Sequence, residues 1–282
     1  MTRFFIIFIL TCSSLPAFSS GKELIDLADY HYSKKEYYNS ITESMRYQFL
    51  YLQGELYGRS MLLIGKSYYK GGSKERALSV LSECYSRFTD NEAGETALFY
   101  SGLIRLDSGS YRYAAKNFQE YNYVYNKGIF YEESIINLSL VYTLAENYDE
   151  AEQKLAEYRK LFPEGRLYKK SEELSLRIVE AKSRPEKSLL AAGLFSAVIP
   201  GSGYFYTGNY LLGLFSFGTN AALIYGIYDG YKKKNQFQMI FFSVIEFSFY
   251  NYSLVGSIKS AHEYNEGEDF KKELLLGFKT EF

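Results

Sequence analysis

Tryptophan is absent from the 282 residues, proline occurs four times, and cysteine and histidine twice each. So little proline, with few glycine clusters in the first two thirds, argues against a turn-rich β fold and for helices. His31 and His262 are isolated and Cys84 has no companion, so no metal-ligand spacing is formed. The 32 basic and 33 acidic residues leave a net charge of -1 with no long basic stretch, which argues against nucleic-acid binding. There is no nucleophile elbow and no Gly-rich phosphate loop. Paired carboxylates such as Glu172-Glu173 fit a solvated helix face. Neither a catalytic site nor a cofactor is expected.

What is present is uneven. Residues 21–187 are rich in charge, whereas Ser188 to Tyr228 contains no Asp, Glu, Lys, Arg or His. The N-terminus has the layout of an export signal over residues 1–19: Arg3, the apolar run Phe4–Leu10, then Ala17-Phe18-Ser19 in the small-x-small pattern. Seven apolar residues are too few to span a bilayer, which takes about 20. Uncleaved anchoring is one alternative, and lipidation at Cys12, preceded by Thr11, is another. Cleavage after Ser19 leaves Cys84 as the sole thiol, a small buried hydrophobe with no disulfide partner.

The strongest regularity is internal. Ala28, Gly65, Gly102 and Ser139 are small residues 37 apart. Twelve residues after each lies a second small residue (Ser40, Ala77, Ala114, Ala151), and seven further on come Tyr47, Cys84, Tyr121 and Tyr158. Turn or aromatic markers sit between the two small positions, as in Lys35-Glu36-Tyr37, Gly109-Ser110-Tyr111 and Glu146-Asn147-Tyr148. Two helices cross closely only where side chains are small, so this spacing predicts four helical hairpins. Each hairpin needs a neighbour to bury its apolar face, hence a stack.

This pattern resembles the tetratricopeptide repeat, whose usual period is about 34 residues. Ile64-Gly65-Lys66-Ser67-Tyr68 and Asn147-Tyr148-Asp149-Glu150-Ala151 are similar to its signature pieces, and Pro163 stands where that family often has a closing proline. The resemblance covers about residues 22–165, with a longer period, no early tryptophan and Arg105 in place of an aromatic. It implies an α-solenoid over residues 20–183, with Tyr168–Ala181 as a capping helix. It also implies a concave groove for a protein or peptide partner, lined by Asp29, Tyr32, Lys66, Tyr69, Leu103, Leu106, Leu140 and Thr143. The leucines are expected either to face water as a docking row or to be ordinary core.

The hydrophobic end, residues 184–262, predicts a helical membrane module. Tyr210–Tyr228 is long enough to span, flanked by Asp229 and Lys232-Lys233-Lys234, and Phe237–Ile258 is a second candidate. Ser188–Ile199 is too short to cross before Pro200 and is expected to dip into the membrane or lie on it. Pro200, Gly201, Gly203, Tyr206 and Gly208 resemble a Pro-Gly-x-Gly-x-x-Tyr-x-Gly motif of uncharacterised bacterial membrane domains, which implies a compact turn at headgroup level. Glu246 falls mid-span, where an ionised carboxylate costs about 2.5 kcal/mol or more. It is expected to stay protonated or to bond Asn220 or a tyrosine, holding two helices together or serving ion movement.

Residues 263–282 suggest a polar linker with an apolar patch, Leu274-Leu275-Leu276. Lys232–Lys234 favour an exported repeat domain, whereas Lys182, Arg184 and Lys187 pull the other way. The expected whole is an all-α scaffold of the bacterial cell envelope: periplasmic repeats, an inner-membrane module and no catalysis. A membrane module of primary importance with regulatory repeats, or a periplasmic chaperone-like role, are the competing expectations.

Overall fold

The computed structural model describes residues 21–279. The predicted export signal and Cys12 lie outside the described residues. Among these the chain is all-α, a solenoid of helical hairpins followed by longer helices, with no strand.

Four hairpins run in order: α1 (Gly21–Ser33) with α2 (Tyr37–Leu50), α3 (Tyr57–Lys70) with α4 (Lys74–Arg87), α5 (Glu92–Asp107) with α6 (Tyr111–Val124), and α7 (Tyr131–Leu144) with α8 (Tyr148–Leu161). A further helix, α9 (Tyr168–Ser183), follows. The chain divides into two compact units, one up to Ser175 together with Lys279, and one over Leu176–Phe278, so the division falls inside α9.

Within the first unit each hairpin turns on a left-handed residue, and these recur at the same spacing: Lys35 at φ 62°, Gly72 at 85°, Gly109 at 68° and Glu146 at 62°. Each turn is closed by a backbone bond from the residue after it to the carbonyl five back, as in Glu36 N to His31 O (2.9 Å) and Asn147 N to Tyr142 O (2.9 Å). Two of the four positions are therefore held left-handed by a non-glycine residue, a strain of about 1–2 kcal/mol at each.

The small residues sit where the helices of a hairpin cross. A Cβ on Gly65 would stand 2.6 Å from Leu81, and one on Gly102 would stand 2.7 Å from Phe118. At the fourth hairpin Ser139 Oγ donates to Ala151 O at 2.9 Å, directly across the crossing. The notch and the side chain that fills it are matched in size, which is what close packing demands.

Between hairpins a tyrosine hydroxyl takes over. Tyr47 Oη accepts the backbone N–H of Leu56 at 3.0 Å, Tyr121 that of Phe130 at 2.9 Å, and Tyr158 that of Leu167 at 3.2 Å. Each acceptor bond satisfies a donor at the start of the next hairpin, one of those a helix N-terminus leaves unpaired. Tyr158 also donates to Glu132 at 2.9 Å, and Tyr121 donates to Glu95.

The second unit contains α10 (Leu189–Val198), the short α11 (Ser202–Tyr206), α12 (Tyr210–Lys232), α13 (Gln236–Glu266) and α14 (Glu268–Phe278). The stretch expected to be a polar linker is helical: α13 runs on to Glu266 and Gly267, left-handed at φ 66°, passes the chain into α14. The acidic residues there are spaced around helices with Lys259 and His262 as i,i+4 partners, which polar composition alone conceals.

Replacing Tyr158 by Phe removes the acceptor for Leu167 N–H and the donor for Glu132, at a cost of about 1–3 kcal/mol. Its expected readout is a lower midpoint in thermal melting followed by circular dichroism. In the same assay Glu146→Gly relieves the left-handed strain and raises the midpoint.

Candidate functional site

In the first unit α1, α3 and α5, the first helices of three hairpins, border a cavity of about 610 Å³. Its lining includes Asp29, Arg59, Lys66, Glu92, Thr96 and Tyr100. Lys66 is the centre of its electrostatics. The ammonium lies 5.2 Å from the ring centroid of Tyr32 and 5.1 Å from that of Tyr100, a cation held between two π faces. Burial lowers its pKa, partly offset by Asp29. Asp29 itself is paired with Arg59. Among the described residues no ion pair is formed at Lys66; two rings flank it, and Asp29, already paired with Arg59, acts on it only through space.

Sequence reasoning placed Asp29, Tyr32 and Lys66 on the inward face, and the structure brings all three together at this cavity's end of the stack. Tyr100, Arg59 and Thr96 went unnoticed, although Tyr100 lies two residues before the small Gly102 and so could have been placed by register. Tyr69 is nearly buried and its hydroxyl donates to Asp107. Leu103, Leu106 and Leu140 do not form an exposed row: all three are fully buried. The reason lies in their helices. α5 and α7 carry apolar or small residues on every face, and such helices are enclosed on all sides. Thr143 is buried with them, its hydroxyl bonded to Ser139 O at 2.9 Å.

In the second unit the Pro-Gly segment joins α10 to α12 through α11. Gly201 is left-handed at φ 93° and its N–H donates to Ser253 Oγ on α13 at 2.7 Å. Gly208, at φ 85°, turns the chain into α12. Gly203 has a different role: a Cβ there would collide with Ala192 O and come within 2.7 Å of Ser257. Its N–H donates to Ser196 Oγ at 3.0 Å. Tyr206 Oη accepts the N–H of Ser188 at 3.0 Å, tying the segment to the start of α10. The helix break after Pro200 is thus pinned to α10 and α13 by serine hydroxyls.

α12 and α13 are long and apolar enough to cross a membrane, and large apolar side chains such as Leu211, Phe215, Phe237 and Phe247 are exposed along them. Glu246 is half-buried on α13 and meets no hydrogen-bond or ionic partner among the described residues. The expected bond to Asn220 is not formed. Asn220 directs its amide to Ser216 O at 2.7 Å, one turn back on its own helix, because in an i–4 geometry that carbonyl is the nearer acceptor. Asn220 Oδ1 and Ser216 Oγ stay buried without a partner. Among the described residues no three His, Cys, Asp or Glu side chains gather where they could hold a metal ion.

No protein-family model matches the chain. No curated protein matches it in sequence either. Among solved structures it is similar to a tetratricopeptide repeat protein from Parabacteroides merdae, at 14% identity and a TM-score of 0.50, over 92% of this chain and 99% of that one. It is also similar to the apo form of RapI, at 14% identity and a TM-score of 0.47, over 94% and 87% of the two chains. At this identity the likeness to the Parabacteroides merdae protein is one of fold.

Several buried groups of the first unit resist ionisation. Burial pushes the Cys84 thiol up to about 12 from 9.0 and the Tyr125 phenol up to about 12 from 10.0. Tyr121 and Tyr158 are raised too, by burial first and then by donating to Glu95 and Glu132. For a group raised in the folded state, the stabilisation is complete below its unfolded pKa and is lost as the pH climbs toward the folded one. The melting midpoint of the repeats is therefore expected to hold up to about pH 9 and to fall between about pH 9 and 12. A midpoint that stays flat across that window would contradict the burial of these hydroxyls and of the thiol.

Proposed function

We propose that this chain is a membrane-anchored, non-catalytic adaptor, whose hairpin stack presents the cavity around Lys66 to a segment of another protein while α12 and α13 hold it in a membrane of the bacterial cell envelope. The observation that carries the reading is Lys66 itself. A partly buried cation, flanked by rings and facing a carboxylate already engaged by Arg59, is a poor arrangement for stability alone, and a partner carboxylate would complete it. Helical-repeat architecture supports a protein partner, since stacked hairpins offer extended concave surfaces.

The membrane side of the proposal rests on the length of α12 and α13 and on the exposure of their apolar side chains. The repeats then stand on the exported side, with the Lys232–Lys234 turn in the cytoplasm, as the positive-inside preference favours. The turn is well made for an end of a helix pair: Lys233 pairs with Asp229 at 2.7 Å, and Gln238 donates to Gly226 O and to Asp229, both at 3.1 Å. One observation favours a second reading, in which the membrane module is primary and moves or assembles something: Glu246 meets no partner among the described residues.

Selecting displayed peptides on the detergent-solubilised full chain tests the adaptor. Peptides carrying a carboxylate are expected, with Lys66→Ala weakening their binding about tenfold. Selection that recovers no binder sensitive to Lys66 sinks the assignment. Retention in the membrane pellet after alkaline carbonate washing tests the anchor separately. Loss of cellular function in Glu246→Gln with peptide binding intact would favour the second reading.

A further inference from the structure

Within the second unit, where α12 begins and α13 nears its end, lies a cavity of about 400 Å³. Its charged lining residues are Arg184, Glu263 and Asp269. The two carboxylates each have a lysine of their own helix, Glu263 with Lys259 at 3.3 Å and Asp269 with Lys272 at 3.6 Å. Arg184 has no such partner. Its guanidinium stacks on Tyr264, 3.8 Å from the ring centroid, and forms no ion pair among the described residues. The ring holds the guanidinium by its face, which leaves the edge, a planar fork of N–H donors, for an oxyanion. A second cation, Lys187, lies 4.9 Å from the centroid of Tyr206 and 5.4 Å from that of Tyr264. The segment carrying both cations is tied to α13, because Asn265 accepts from Lys187 N–H at 2.7 Å and donates to Lys187 O at 2.8 Å.

The mixture of signs selects the ligand. An inorganic phosphate would meet Arg184 but would also face Glu263 and Asp269, which repel it. A zwitterion with an oxyanion and an ammonium a few atoms apart satisfies both kinds of group. The rest of the lining points to a lipid. Tyr210 and Leu211 border the cavity and are exposed, and Leu214 and Phe215 are exposed one turn further along α12. The 23 residues of α12, at 1.5 Å each, extend about 34 Å, against a hydrocarbon core of about 30 Å. The first turn of a spanning α12 therefore lies at headgroup level, and the Lys232–Lys234 turn lies at the opposite face. Tyr206, Tyr210 and Tyr264 are the amphipathic rings that such a level favours.

We propose that this cavity binds the headgroup of a zwitterionic phospholipid, with its phosphodiester on Arg184 and its primary ammonium on Glu263 and Asp269. The acyl chains then run beside Leu211, Leu214 and Phe215. This inference rests on the membrane reading of α12 and α13.

The full chain, purified in detergent, is titrated with phosphatidylethanolamine or phosphatidylglycerol, and bound lipid is counted by native mass spectrometry. Phosphatidylethanolamine is expected to bind about tenfold more tightly than phosphatidylglycerol. Arg184→Ala should weaken its binding about tenfold, whereas Lys233→Ala, at the other end of α12, should leave it unchanged. Glu263→Gln combined with Asp269→Asn should turn the preference toward phosphatidylglycerol, an outcome that misfolding does not produce. Equal binding of the two lipids by the unsubstituted chain overturns the proposal, as does binding indifferent to Arg184→Ala. Displacement of the lipid by inorganic phosphate also overturns it, since the site would then be one for free phosphate. A chain released from membranes by alkaline carbonate overturns the anchor and this site with it. A chain that is retained, but whose lipid binding ignores Arg184, overturns the site alone.

Discussion

The repeat stack depends on one interaction, the tyrosine hydroxyl that bridges the end of one hairpin to the start of the next. It has a steric condition. Seven residues after Tyr47, Tyr121 and Tyr158 come Gly54, Gly128 and Gly165, and a Cβ at any of the three would run into the tyrosine hydroxyl itself. The tyrosine and the glycine are two halves of a single device, because the ring can reach the next hairpin's N–H only across a residue without a side chain. Nine residues separate each hydroxyl from the N–H it accepts, which sets the length of the loop at these three junctions. The carboxylates of Glu95 and Glu132 complete the device by accepting from two of these hydroxyls.

The second hairpin shows what happens when the device is absent. Cys84 replaces the tyrosine and Asn91 replaces the glycine. Freed from accommodating a ring, Asn91 becomes an N-cap: its side chain accepts from Ala93 N at 2.9 Å and Gly94 N at 3.3 Å, and α5 starts two residues earlier than its register mates. Gly94 then stands where the other units have Tyr57, Tyr131 and Tyr168, and a Cβ there would collide with Phe88 O. The buried thiol fills a space that a phenol occupies elsewhere, which explains why burial is the leading cause of its raised pKa. Asn91 and Glu92, brought forward by this substitution, form part of the cavity that holds Lys66, so the irregular junction and the candidate binding site are one neighbourhood.

Much of this was legible in advance where it depended on local geometry. Small residues twelve apart, the turn markers and the all-α class follow from what two helices and a short turn permit. The glycine partner of the tyrosines was equally periodic but passed unnoticed, because its reason is a contact between hairpins rather than within one. The groove was half legible. Asp29 and Lys66 line the cavity and Tyr32 flanks Lys66, yet Leu103, Leu106 and Leu140, expected on the same inward face, are fully buried on α5 and α7. Register fixes which way a side chain points, whereas its exposure depends on what else the chain folds over it, and the apolar character of α5 and α7 on every face is the sign of enclosure.

The three glycines of the Pro-Gly segment make the same point from the other side. Sequence treats them alike, as permission for unusual backbone. In the structure Gly201 and Gly208 use that permission, whereas Gly203 lets α11 approach Ala192 and Ser257 more closely than any side chain would allow. Ser253, Ser257 and Ser260, buried on α13, are small and polar for the corresponding reason: Ser253 accepts from Gly201 N–H, and Ser260 Oγ lies 2.7 Å from Thr207 Oγ1. A broken helix exposes backbone donors, and in apolar surroundings each must find a partner within the protein. Serines on a neighbouring helix answer that need without adding bulk. The break after Pro200 and the serine stripe of α13 are therefore a single constraint divided between two distant stretches of sequence, and neither is intelligible alone.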